Sequence, residues 1–110
     1  MKKRDIVQEK EHFNEIIKNN KFYKSKYFVL YIMKSKSENP RFGIAVGKKI
    51  GIAVIRNKLK RQYRHIVDEN IFLFPKYNDY IIMVKKASLS VPFEEINDSM
   101  KNLLSERGIK

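Results

Sequence analysis

Between Arg41 and Val67 the chain reads RFGIAVGKKIGIAVIRNKLKRQYRHIV, with no acidic residue and eight basic ones: Arg41, Lys48, Lys49, Arg56, Lys58, Lys60, Arg61 and Arg64. Apolar residues are interleaved with the cations. The segment can therefore fold only with an apolar side turned in and a cationic side turned out, because an unpaired charge is not buried. The remainder of the chain carries 16 basic against 12 acidic residues, so most of the net charge of +12 sits in this one stretch. Such concentration costs self-repulsion, and the usual reason to tolerate it is a polyanionic partner.

The flanking pattern gives the architecture. Apolar residues recur at helical spacing from about Ile6 to Asn19, with Ile6, Phe13, Ile16 and Ile17 near one face. FYKSKYFVLYIMKS is rich in aromatic and β-branched residues and reads as a strand. Alternation predicts Tyr27, Val29, Tyr31 and Met33 on one face and Phe28, Leu30 and Ile32 on the other. Ser37 to Pro40 is a turn, and Arg41 to Gly47 a second strand, antiparallel to the first through that short connection. A long helix follows from about Ile52 to Ile71. Tyr80 to Val84, a continuous apolar run, is a strand buried on both faces and parallel to the strand before the helix. Ser90 is the expected N-cap of a last helix, with Pro92 in its first turn. Phe93, Ile96, Met100, Leu103 and Leu104 form its stripe, which ends near Gly108. The order α-β-β-α-β-α, with a short extra strand near Phe22, predicts an α/β (α+β) two-layer sandwich with helices on a small mixed sheet.

The chain's 110 residues suit a single domain spanning residues 1–110, and 43% hydrophobic content is enough for a core. There is no cysteine, which excludes thiolate metal sites, and the two histidines, His12 and His65, make no cluster. No apolar run reaches a membrane span and no leader is visible, so the expectation is a soluble cytoplasmic protein with no membrane partner. A sequence pI near 9.9 points to nucleic acid.

On a helical wheel, Arg56, Asn57, Lys60, Arg61 and Arg64 fall within roughly a 140° arc. Ile52, Ile55, Leu59, Tyr63 and Ile66 fall opposite and are expected to dock on the sheet, while Lys58 and His65 lie outside both arcs. A solvated helix face usually interleaves Glu with Lys at four-residue spacing. This helix has no acid before Asp68. Like charges one turn apart repel, and arginine's planar fork suits phosphate.

Other signals are weaker. Gly43 to Lys48 is one residue short of a phosphate-binding loop, and Lys49 stands where Ser or Thr would bind magnesium. Asp68-Glu69 and Glu94-Glu95 are adjacent pairs that diverge on a helix, which unsuits them to paired acid/base work.

Arg41-x-Gly43, Val46-Gly47-Lys48-Lys49-Ile50-Gly51 and Ala53-Val54-Ile55-Arg56-Asn57-Lys58-Leu59-Lys60-Arg61-x-x-Arg64 together resemble the bacterial ribonuclease P protein component. The resemblance extends over nearly the whole chain, including Tyr27 to Tyr31 and the first helix with Phe13. Gly47, Ile52 and Tyr63 depart from the family pattern, and none removes a positive charge.

The resemblance implies the fold of the second domain of ribosomal protein S five, shared with the translocase elongation factor, with a left-handed crossover between parallel strands. It implies a subunit of a ribonucleoprotein endonuclease that removes the 5′ leader of precursor tRNA. In that enzyme the RNA is catalytic and requires Mg(2+), while the protein binds no cofactor and supplies no catalytic residue. The implied partners are one catalytic RNA per protein and the precursor tRNA leader, not DNA. Carried over by position, Lys48, Lys49, Arg56, Asn57, Lys58, Lys60, Arg61 and Arg64 would face the catalytic RNA. Phe13, Ile17 and Tyr31 match positions that would line the leader cleft, and Tyr27 and Val29 are expected to share Tyr31's face; bases stack on aromatic rings there with little sequence preference. Two other classes fit the charge alone. A structural RNA-binding protein such as a ribosomal component would not need an exposed aromatic strand. A metal-dependent protein nuclease would need clustered carboxylates, which the sequence does not offer.

Overall fold

The computed structural model describes residues 21–106. The expected first helix from Ile6 to Asn19, with Phe13 and Ile17, lies outside the described residues, as does the expected helix end near Gly108. Within them the order is β1 (Lys21–Lys24), β2 (Phe28–Lys34), β3 (Arg41–Ala45), α1 (Ala53–Glu69), β4 (Asn78–Val84) and α2 (Phe93–Glu106). Short 3₁₀ turns stand at Lys48–Ile50, Ile71–Leu73 and Lys86–Ser90.

The four strands form one mixed sheet in the order β1-β2-β4-β3. β1 pairs antiparallel with β2, β2 antiparallel with β4, and β3 parallel with β4. The extra strand near Phe22 and the parallel pair around the long helix agree with the sequence reading. The expected pairing of β2 with β3 does not. β3 does run opposite to β2, but β4 lies between them and the connection is not a hairpin. The physical reason lies in β4 itself. Its run from Tyr80 to Val84 is apolar on both faces, and a central place gives the strand a hydrogen-bonded neighbour on each side. At an edge its ladder groups would be unpaired.

Alternation in β2 holds from Phe28 onward. Phe28, Leu30 and Ile32 are buried, while Val29, Tyr31 and Met33 are half-buried. The inward row meets Tyr80, Ile82 and Val84 of β4, with Phe42 of β3 beside them. Leu59, Tyr63, Ile66 and Val67 of α1 and Ile96, Met100, Leu103 and Leu104 of α2 cover this face and complete the core. Each such side chain contributes about 1.5–3 kcal/mol when fully buried. Phe42 stacks on Tyr80 at 5.3 Å between centroids, and Phe28 meets Tyr63 edge-on at 6.0 Å. α2 begins at Phe93, directly after Pro92, so Ser90 is not its cap and closes the preceding 3₁₀ turn instead.

Polar groups inside this core are matched. Tyr63 Oη lies 2.8 Å from Ser88 Oγ and donates to the Tyr27 carbonyl at 3.2 Å. Asn70 Nδ2 donates to the Ile66 carbonyl at 2.8 Å and to Asn97 Oδ1 at 2.7 Å, while Asn97 Nδ2 donates to Glu69 Oε2 at 2.6 Å. This chain ties the end of α1 to α2. Among the described residues, no buried side-chain nitrogen or oxygen lacks a hydrogen-bond partner.

Candidate nucleic-acid interface

α1 carries the cationic surface. Its buried residues are Leu59, Tyr63, Ile66 and Val67, so the docked arc is turned toward Val67 relative to the sequence reading. Ile52 is 69% exposed and Ile55 38% exposed, so neither docks on the sheet as expected. A wheel gives the direction of a stripe but not how far a helix overhangs what it packs on, and here the first turns of α1 project past the core.

That overhang carries cations outward. Lys48 and Lys49 stand exposed on the 3₁₀ turn before α1, and Asn57, Arg61 and Arg64 are exposed along it. Arg56 and Lys60 are half-buried on the flank beside Val67. Arg56 Nε donates to the Gly51 carbonyl at 3.1 Å, which fixes the guanidinium at the entry of the helix. Gly51 is closely packed there: an added Cβ would come within 3.1 Å of Ile55 Cγ2. No acidic residue occupies the first turn of α1, where one would offset the positive end of the helix dipole. Lys58 stands apart. With Ile55, Leu59, Gln62, Ser88, Leu89 and Val91 it lines an open cavity of about 210 Å³ on the other flank.

Arg41 does not join this surface. Its Nε donates to Asp79 Oδ1 at 3.1 Å and its Nη2 to Asp79 Oδ2 at 2.7 Å, so a charge counted within the acid-free segment serves an ion pair in the sheet.

The second candidate surface is the outer face of the sheet, opposite α1 and α2. Phe22, Tyr31, Ile81 and Gly43 are register partners across all four strands, and Lys24, Val29, Met83 and Ala45 form the next row. Tyr31 and Val29 are half-buried here, as the sequence reading requires. Phe13 and Ile17 lie outside the described residues. Tyr27 is corrected: it does not share this face. It sits in the bend between β1 and β2, where strand alternation does not apply, and its ring is buried in the core cluster on the helix side. Its hydroxyl donates to Glu95 Oε2 at 2.8 Å. That bond, helped by burial, raises the Tyr27 pKa above the ordinary phenol range.

Sequence reasoning missed Phe22. Its ring lies 5.8 Å from that of Tyr31, with Lys24 Nζ 5.6 Å from its centroid. The signal that could have found it is the β1–β2 register, which needs the bend at Ser25 to Tyr27 to be read as a turn.

The exposed cations of α1 suit phosphate oxygens, and the aromatic rings of the outer sheet face suit stacking with bases. Among the described residues, no group of three His, Asp or Glu side chains could hold a metal ion, and no helix is long and apolar enough to cross a membrane. His65 is exposed, its ring 5.4 Å from that of Phe93, and Glu69 and Glu95 accept the structural hydrogen bonds described above.

Known proteins resemble the chain throughout. A family model described as Ribonuclease P matches residues 1–107. The ribonuclease P protein component of Mesoplasma florum is 33% identical over 105 residues, covering 94% of this chain and 96% of that one. The component of Bacillus velezensis is 36% identical over 110 residues, covering 99% and 94%. The solved ribonuclease P protein from Thermotoga maritima superposes with a TM-score of 0.86 at 31% identity, covering 97% of this chain and 99% of that one.

Proposed function

The chain belongs to the ribonuclease P protein family, and we propose that within that enzyme the outer face of α1 seats it on the catalytic RNA while the Val29–Tyr31 face of its sheet receives the 5′ leader of precursor tRNA. Its role is that of a ribonuclease P subunit in the processing of tRNA 5′ ends, with ribonuclease P RNA and precursor tRNA as partners.

One observation carries the finer reading: the two surfaces lie on opposite sides of a single core. Arg61, Arg64 and Asn57 point away from the sheet, and Tyr31 lies on the sheet face that α1 does not cover. A protein that joins two RNAs needs such a pair of surfaces. They also differ in chemistry as the two partners would. A folded RNA presents backbone and shape, which arginine and lysine meet by phosphate contacts that position rather than read sequence. A single-stranded leader presents base faces, which aromatic rings stack on at about 1–3 kcal/mol per base with little sequence preference.

In this reading the protein contributes no catalytic group. The hydrolysis and its magnesium ions belong to the RNA, and the protein works in the cytoplasm, one copy to each RNA. The test is cleavage of precursor tRNA with the two components separate and combined. Protein alone leaves the substrate intact, and adding it to the cognate RNA at low magnesium accelerates cleavage. Robust cleavage by RNA-free protein overturns the assignment of roles.

A further inference from the structure

The acid-free stretch that carries the helix is not the only one. From Lys21 to Ser37 the chain has five lysines, Lys21, Lys24, Lys26, Lys34 and Lys36, and no acidic residue. This segment forms β1 and β2, and among the described residues β1 is an edge strand of the sheet. Lysines on an edge strand have an ordinary purpose, since they discourage pairing with another chain. Phe22 does not serve that purpose. It is 52% exposed on the same edge, where a bare aromatic invites the contacts that lysines repel. A fold protected only against aggregation has no reason to place it there.

The local geometry supplies one. Phe22 and Tyr31 are register partners on the outer face, their rings 5.8 Å apart and tilted by 42°. Two aromatic faces therefore run side by side from β2 to the sheet edge. Lys24, two residues along the same face of β1, holds its ammonium over the Phe22 ring, 5.6 Å from the centroid, a mobile cation that a stacking base can displace toward its own phosphate. An aromatic ring flanked by a cation is the pairing that single-stranded nucleic acid uses, the ring under a base and the cation at its phosphate.

We infer that Phe22, with Lys24, forms a further leader subsite at the sheet edge, stacking a nucleotide beyond the one that meets Tyr31. The inference rests on the leader reading above. The topology gives its direction. Lys48 and Lys49, on the surface assigned to the catalytic RNA, follow β3 at the opposite edge. A leader that enters from that side crosses β2 before it reaches β1, and the proposal therefore gives Phe22 a nucleotide farther along the leader than the one at Tyr31.

The experiment uses the assembled holoenzyme, protein with its cognate RNA, and precursor tRNAs whose leaders lengthen one nucleotide at a time. Affinity is read by fluorescence anisotropy for Phe22→Ala, Phe22→Leu, Phe22→Tyr and Tyr31→Ala. Phe22→Ala should weaken binding of long leaders by about five- to tenfold, the low end of a stacking contact, with no change for mature tRNA. Its effect should begin at a greater leader length than that of Tyr31→Ala. Phe22→Tyr should bind as the parent does, and Phe22→Leu, which keeps an apolar group against Tyr31 but no flat ring, should behave as Phe22→Ala. Thermal unfolding of each free variant checks that the sheet is intact. If Phe22→Ala matches the parent at every length while Tyr31→Ala loses affinity, the edge subsite is overturned and the leader reading stands. A Phe22→Leu variant with parental affinity also overturns it, because packing and not stacking then accounts for the residue. If neither Phe22→Ala nor Tyr31→Ala responds to leader length, the leader reading falls and takes the subsite with it.

Discussion

Arg41 and Asp79 face each other as register partners on the parallel strands β3 and β4, joined by Nε–Oδ1 at 3.1 Å and Nη2–Oδ2 at 2.7 Å. The Asp79 side chain is fully buried, while that of Arg41 is 38% exposed. Removing Arg41 strips charge-assisted bonds from a carboxylate that water does not reach. Arg41→Ala should therefore destabilise the protein by about 1.5–3 kcal/mol in urea unfolding, with the salt dependence of RNA binding unchanged. Parental stability combined with weaker RNA binding would instead place Arg41 on the RNA surface.

Arg61 is the opposite case, exposed on α1. On the proposed function its value would lie in the counterions it releases from the RNA. Arg61→Ala should weaken binding to the catalytic RNA and lower the slope of log K against log salt by about 0.7–0.9, the contribution of one phosphate contact. The free protein's stability should hold within about 0.5 kcal/mol, as for surface substitutions generally. Titrations from low to high salt decide it, and an unchanged slope would remove α1 as the docking face.

These two arginines mark how far the sequence could be read. Charge counting found the segment and alternation found the inward row Phe28, Leu30 and Ile32, because both are local properties of the chain. Whether a given cation is free depends on what sits across the sheet, and Asp79 lies 38 residues from Arg41. The same limit hid the place of β4 between β2 and β3, since pairing order is set by which strand gains most from two neighbours. Tyr27 was misassigned because alternation was carried one residue into a bend. Ile52 and Ile55 were misassigned because a wheel has no knowledge of where the underlying core stops. The outer-face positions of Val29 and Tyr31 were legible, as period-two spacing within one strand fixes them without reference to any partner.

Tyr27 and Tyr31, four residues apart, should now separate cleanly. Tyr31→Ala should reduce holoenzyme affinity for leader-bearing precursor by about five- to a hundredfold, the range of one stacked base, and leave mature tRNA unaffected. Tyr27→Phe removes only the bond to Glu95 on the helix side and should leave both affinities at parental values. Equal losses for precursor and mature tRNA in Tyr31→Ala would sink the cleft, and a leader-specific loss in Tyr27→Phe would return Tyr27 to it.

Tyr63 links α1 to the β1–β2 bend through the Tyr27 carbonyl and to the 3₁₀ turn through Ser88. Burial raises the phenol pKa of Tyr63 and of Tyr80, and the Glu95 hydrogen bond raises that of Tyr27. The folded chain thus keeps phenol protons that the unfolded chain releases near pH 10. The folded state binds more protons above that pH, so stability is intact below about pH 10 and falls as the pH rises further. One retained proton is worth up to about 1.4 kcal/mol per pH unit. Tyr63→Phe should cost about 1 kcal/mol at neutral pH for the lost hydroxyl bonds, because Ser88 Oγ still donates to the Tyr27 carbonyl at 2.9 Å. Above pH 10 the variant should lose stability less steeply than the parent, and the two curves should converge. Lysine deprotonation is common to both proteins and cancels in the comparison. Urea unfolding from pH 7 to 11 measures both slopes, and parallel curves would mean that the Tyr63 phenol does not govern the alkaline limit.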